Sequence, residues 1–441
     1  MSKLKFEKFV LIIGSVSFVL LFIWMIYGVW GRSLMDWVYK TQSVDSFLWL
    51  PEHDSYSVDY YFKRIGGVLW CWTIGGVVLV LLYSGLSFLS IKIGWKRILC
   101  FLLFGMIFYE MTIVLSLEYP TLLKFLPRNF GMHIKDIYDN FDMNSFAFNA
   151  DCSQFDSKVY YRLRPGRCEF SNREFHNEFL INRQGFRDDE KSLQSPDVIV
   201  LGDSFSMGWG VNQQETYAQV IEKEMKLKVL NTGTASFDTV REMRLLDQLD
   251  TSQLKYLIIQ YCSNDFWGNW KFYRDGNQYT QRSEKEYKRF LNFYKRSRWY
   301  YPGKYIFFSL SVYLENFLSK FTKSCFANTP YTSSIKFFLN ALMHASNIDL
   351  SKVKIIVFQM NSYYFLNDRF ILSLKKEINS QRYPQYIKNA ILIDSSKTMK
   401  RSDYYILDRH LNAQGHRIVA QIIMKENRKD LDRPVLSEDR H

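Results

Sequence analysis

The sequence lacks the residue spacings that would mark a metal centre or a redox dithiol. Its six cysteines include no Cys-x-x-Cys pair and no His/Cys ligand spacing, which argues against both a zinc site and a thioredoxin-like redox pair. No metal and no cofactor are expected. The formal charge of +13 is not accompanied by any recognised nucleic-acid motif, and Lys and Arg cluster beside apolar segments and in one later stretch. The charge therefore reads as membrane-facing, with no nucleic-acid partner. No small-residue cleavage site follows the first apolar run, which is also longer than a typical signal region, so that run reads as an anchor and not as a removable leader.

With 441 residues, 47% of them hydrophobic and 17% aromatic, the chain can build a core as well as membrane spans, and two modules are expected. Three apolar runs are long enough to cross a bilayer: Phe9 to Trp30, Ile65 to Ile91, and Ile98 to Leu117, the last interrupted only by Glu110. Lys3, Lys5 and Lys8 precede the first, and Lys92, Lys96 and Arg97 fill the turn between the second and third. The positive-inside bias puts both basic segments in the cytoplasm. The loop from Gly31 to Arg64 has no such bias, and an odd number of spans places everything after Leu117 outside the cytoplasm. Glu110 is costly in lipid unless it faces neighbouring helices, so it marks either a contact with another membrane protein or a pairing within the bundle.

From Glu118 to Pro196 the pattern is mixed and turn-rich. Cys152 and Cys168 flank a segment containing Pro165-Gly166, and in an oxidising compartment two cysteines this close read as a disulfide, with two buried thiols as the alternative.

The chain is organised around Val198 to Val211, VIVLGDSFSMGWGV. A short apolar run after Pro196-Asp197 stops at Gly202 and places Asp203-Ser204 in a turn at the carboxyl end of a buried strand. In an open α/β sheet that end is where ligands bind, which makes Ser204 a candidate nucleophile. The plainer reading is a turn or helix cap made by Asp203-Ser204. Downstream, helical patterns at Thr216 to Met225, Asp238 to Leu249, Asp368 to Ile378 and Asn412 to about Met424 alternate with strands. The strands fall at Lys228 to Leu230, Tyr256 to Tyr261, Val353 to Gln359 and Ala390 to Ile393. This alternation predicts a parallel sheet covered on both faces.

Polar clusters fall at the strand ends: Asn231 to Ser236, then Cys262-Ser263-Asn264-Asp265, then Asp408-Arg409-His410-Leu411-Asn412. A carboxylate two residues from a histidine can hold the imidazole in one tautomer, and that imidazole can take a proton from a serine hydroxyl. Ser204, His410 and Asp408 make a complete triad. Donors for an oxyanion would be the Ser204 N–H, a backbone N–H near Ser236 and the Asn264 side chain. Asp203 and Asp265 read as braces of their turns, and His416 as a packed histidine early in its helix.

These four blocks, Gly202-Asp203-Ser204-Phe205, Asn231 to Ser236, Asn264-Asp265, and Asp408 with His410, resemble the motifs of the SGNH hydrolases, or GDSL esterases, from about Asp197 to Lys425. The resemblance implies a flavodoxin-like three-layer α/β/α fold, Ser204 as nucleophile, His410 as base, Asp408 as its orienting acid and Asn264 as an oxyanion donor. The chain departs from the family pattern in three places. Ser236 stands where the family has an oxyanion glycine, Cys262 replaces the glycine usual before Asn-Asp, and Asp408 lies two residues before His410 where many members have three.

Residues 268–350 read as an insertion. Lys271 to Lys304 holds ten Lys/Arg against Asp275, Glu284 and Glu286, interleaved with aromatics such as Tyr273, Phe290 and Tyr301. That mixture fits contact with an anionic membrane or glycan, and equally an ordinary solvated hairpin. The expected organisation is a membrane anchor over 1–118, an extracytoplasmic lead-in over 119–196, an SGNH-like domain over 197–428 and a tail over 429–441. The expected activity is ester hydrolysis at an O-acyl group of a cell-envelope glycan by a multi-pass membrane protein. O-acetyl transfer with the same triad, a lipid esterase and a non-catalytic glycan-binding scaffold are the rivals.

Overall fold

The computed structural model describes residues 93–297, 300–319, 331–380 and 382–431, together with Ile26 and Trp30. Apart from Ile26 and Trp30, the first two apolar runs lie outside the described residues, as does the tail from 432. The chain divides into two compact units, Met1–Ile137 with Trp299–Thr322, and Tyr138–Arg298 with Lys323–His441.

In the first unit the third apolar run lies within the helix Ile93–Glu118, which packs against the helix Lys304–Ser319. Among the described residues no helix is long and apolar enough to cross a membrane. Glu110 is buried, and its carboxylate accepts the backbone N–H groups of Ile306 (2.9 Å) and Tyr305 (3.3 Å) and the Tyr300 hydroxyl (3.2 Å). It thereby satisfies donors that the start of the helix Lys304–Ser319 cannot use internally, and its charge complements that end of the helix dipole. Glu110 is thus spent on a helix of its own chain. Sequence distance hid this, because residues 300–319 read as part of an insertion in the other module.

The second unit opens with two antiparallel hairpins, β1 (Ser153–Asp156) with β2 (Tyr160–Leu163), and β3 (Gly166–Asn172) with β4 (Phe175–Ile181). A disulfide joins Cys152 to Cys168 and so ties the two hairpins. A parallel sheet follows: β5 (Val198–Leu201), β6 (Val229–Asn231), β7 (Tyr256–Tyr261), β8 (Lys354–Gln359) and β9 (Ile391–Ile393), in the order β6-β5-β7-β8-β9. This is the flavodoxin-like doubly wound order, whose switch point lies at the carboxyl ends of β5 and β7.

Successive residues of these strands feed two separate cores, as the period of two demands. Ile199, Leu201, Leu257, Ile259, Ile355 and Val357 pack with Val240, Phe338 and Leu374 on one face. Val198, Val200, Ile258, Ile356 and Phe358 pack with Ile221 and Val419 on the other. The hairpins contribute Tyr161, Phe170 and Phe179 to the first core, so they are packed into the sheet module and do not form a separate body. Helix starts are capped by the polar residues that precede them. Thr216 Oγ1 accepts from the Gln219 N–H ahead of Tyr217–Met225, and Asp238 Oδ1 accepts from the Arg241 N–H ahead of Thr239–Leu246.

Candidate active site

Ser204 opens the four-residue helix Ser204–Met207 directly beyond β5. Asp203 caps it, its Oδ1 accepting the Phe205 N–H at 3.0 Å, and Gly208 ends it at φ +83°, a left-handed conformation that glycine adopts without steric cost. The loop beyond is fixed by Arg187, a fully buried arginine stacked on Phe179 at 3.6 Å. It donates to the carbonyls of Gly208 (2.6 Å) and Val211 (2.7 Å).

His410 Nε2 lies 2.7 Å from Ser204 Oγ, and His410 Nδ1 lies 2.6 Å from Asp408 Oδ1. A carboxylate accepts only, so the ring proton belongs on Nδ1, and Nε2 presents its lone pair to the serine hydroxyl. The two-residue separation closes well: the His410 backbone N–H also donates to Asp408 Oδ1, at 3.2 Å. Asp408 is fully buried, and its Oδ2 accepts from the Tyr138 hydroxyl and from Trp209 Nε1, each at 3.0 Å. Burial alone would raise this carboxyl; the adjoining His410, then Trp209 and Tyr138, hold it below its ordinary value. Burial and the Asp408 charge push the Tyr138 hydroxyl well above the usual phenol range, so it stays a neutral donor.

Ser204, Ser236 and Asn264 follow β5, β6 and β7 respectively, and those three strands are neighbours in the sheet. Ser236 and Asn264 are both exposed on this rim. Ser236 sits at φ +61°, a left-handed conformation that glycine adopts more readily than serine, and its carbonyl accepts from Arg241, which is paired with Asp238 at 2.9 Å. Asn264 Nδ2 donates one hydrogen to Asp203 Oδ2 at 3.2 Å, leaving its second for the rim. Behind it, Asn361 Oδ1 accepts the Ser263 N–H at 2.9 Å, tying the loops after β7 and β8 together.

The remaining polar residues turn inward. Asp265 accepts from Thr239 Oγ1 at 3.1 Å, and burial raises its carboxyl well above the ordinary range, as it does for Glu242. His416 Nδ1 accepts the Tyr217 N–H at 3.3 Å, and burial lowers its pKa to about 3. Burial pushes the Cys262 thiol up, which keeps it protonated. Among the described residues no cluster of His, Cys, Asp and Glu could hold a metal ion.

Sequence reading passed over Tyr138, Trp209 and Arg187. Trp209 carried a local signal, because it lies between Gly208 and Gly210 just past the serine. Tyr138 and Arg187 reach the site only through the fold.

No family model and no curated protein matches this chain. Among solved structures it is similar to one from Desulfitobacterium hafniense DCB-2 described as a lipolytic protein of the G-D-S-L family. The match has 12% identity and a TM-score of 0.29, over 52% of this chain and 98% of that one. At that score the likeness carries no weight for activity.

Proposed function

We propose that this chain is a serine-dependent esterase. The observation that carries the reading is the continuous relay of Ser204 Oγ, His410 Nε2 at 2.7 Å, and Asp408 Oδ1 at 2.6 Å from His410 Nδ1, set at the switch point of a parallel sheet. Ser204 Oγ attacks the ester carbonyl carbon as its proton passes to His410 Nε2. The resulting imidazolium is stabilised by Asp408, and the tetrahedral oxyanion is received by the Ser204 and Ser236 N–H groups and the Asn264 amide. Collapse breaks the ester C–O bond, with the His410 proton going to the leaving oxygen. Water, deprotonated in turn by His410, then releases the acyl group as a carboxylic acid.

The substrate we favour is an O-acyl group of a cell-envelope glycan, met on the outer side of a membrane. The Cys152–Cys168 disulfide supports an oxidising compartment. The three apolar runs and their flanking lysines support an anchor. The test is to incubate the purified full chain with acetylated glycans and with phospholipids. Released acetate, absent with Ser204→Ala, supports the reading. Released fatty acid redirects it to lipids, and acetyl appearing on an added sugar hydroxyl redirects it to transfer.

A further inference from the structure

The two-residue turn Arg173-Glu174 that joins β3 to β4 lies far from every motif block in sequence. Its glutamate nevertheless reaches the loop that carries the histidine and its acid. Glu174 Oε1 accepts the Ile406 N–H at 2.8 Å, and Oε2 accepts the N–H groups of Leu407 at 2.8 Å and Asp408 at 2.6 Å. Three consecutive main-chain donors thus converge on one carboxylate, which fixes the backbone at the position from which the Asp408 side chain departs. The surrounding hairpin is itself held firmly: Phe175 packs on Tyr405 (5.5 Å) and Trp209 (6.3 Å), and Phe170 on Trp209 (5.0 Å).

The arrangement carries an electrostatic cost. Burial, with the nearby Asp408 charge adding to it, pushes the Glu174 carboxyl up to about 7 even though the three N–H groups pull it down. A second carboxyl beside the first is tolerated where its hydrogen bonds secure a geometry that a neutral side chain would not. A glutamine in its place would have only one acceptor oxygen for the three donors.

We propose that Glu174 is a positioning residue, whose carboxylate holds the Ile406–Asp408 main chain so that Asp408 meets His410 Nδ1. This rests on the esterase reading for its effect on turnover, though not for its effect on the His410–Asp408 bond. It makes the β3–β4 hairpin part of the reactive machinery.

The experiment compares the full chain with Glu174→Gln, Glu174→Asp, Asp408→Asn and the double variant Glu174→Gln/Asp408→Asn. Two quantities are read: the low-field proton resonance of His410 Nδ1, assigned with histidine-labelled protein and His410→Ala, and kcat and KM on an activated acetyl ester. Near-ultraviolet circular dichroism establishes that each variant is folded. Glu174→Gln should shift or broaden the resonance and lower kcat about a hundredfold, as a misplacement of about 1 Å does, with KM little changed. Glu174→Asp should recover part of both, and adding Glu174→Gln to Asp408→Asn should cost nothing further, since the two act through one bond. A folded Glu174→Gln with the parental resonance and kcat overturns the proposal, as does a full multiplicative loss in the double variant. If the parent turns over no ester while Glu174→Gln still disturbs the resonance, the positioning role stands and the esterase reading falls.

Discussion

Trp209 lies stacked on the imidazole of His410, ring centroids 4.8 Å apart and planes 22° from parallel, while its indole N–H donates to Asp408 Oδ2 at 3.0 Å. One side chain thereby fixes the ring and the acid that orients it. Replacing Trp209 with Phe keeps an aromatic ring and removes the donor to a buried carboxylate. A hydrogen bond to a charged group contributes about 1.5–3 kcal/mol, so kcat should fall about tenfold to a hundredfold. Asp408 should also protonate at a higher pH than in the parent, because one of the donors holding it down is gone. Steady-state kinetics across acidic pH checks this, and unchanged rates in a folded variant would contradict it.

Asp408→Asn offers His410 Nδ1 an amide in place of a carboxylate and admits the tautomer whose Nε2 bears the proton, which cannot accept from Ser204. The comparable change in a serine protease costs about ten-thousandfold in kcat, and a similar loss is expected here. Ser204→Ala and His410→Ala should be as damaging, and combining them should add little. Asn264→Ala should cost about a hundredfold to a thousandfold, as loss of one oxyanion donor does. Activity of the four variants on one acetyl ester tests the set together.

Ser236 occupies a left-handed conformation at φ +61°. A side chain there costs roughly 1–2 kcal/mol that glycine avoids, so Ser236→Gly should keep its activity and unfold at higher denaturant concentration, part of the gain being offset by glycine's greater freedom when unfolded. Ser236→Val should lose both stability and turnover. A less stable Ser236→Gly would show that the backbone strain is offset by contacts of the hydroxyl.

His416 is buried, and its pKa is lowered to about 3, whereas in the unfolded chain it titrates near 6.5. Between those values the unfolded state binds the extra proton, so this group's contribution to stability is complete above about pH 6.5 and is lost as the pH falls toward 3. Unfolding free energies at a series of pH values should show a shallower acid decline for His416→Asn than for the parent. Parallel declines would contradict the assignment.

Much of the sheet module was legible because its strands are short apolar runs that end in polar clusters. β5 at Val198 to Leu201 and β7 at Tyr256 to Tyr261 are found as the pattern predicts, and β6, β8 and β9 differ from their sequence limits by a residue or so. The helix beginning at Ala413 runs further than its periodicity suggests, to Leu431. What escaped the sequence was whatever depends on packing between distant segments. Glu174 and Asp408 are joined by a bond across more than two hundred residues, and no local pattern marks either as the other's partner. Tyr138 reads as one more aromatic in a turn-rich stretch. Residues 300–319 were assigned to an insertion by their position between strands, yet they pack in the same unit as Glu110. The Ser204 relay could be anticipated because its chemistry restricts residue types; the residues supporting it could not, because many side chains can donate or accept a hydrogen bond.

The most direct measurement is the mass of the Ser204 peptide after the folded chain is mixed with an activated acetyl ester and quenched in acid. The account predicts an added acetyl group on Ser204 that builds up within the first turnover, decays with time, and is absent in Ser204→Ala and strongly reduced in His410→Ala. A folded parent that releases acetate while Ser204 stays unmodified, or that carries the acetyl on another residue, would contradict it.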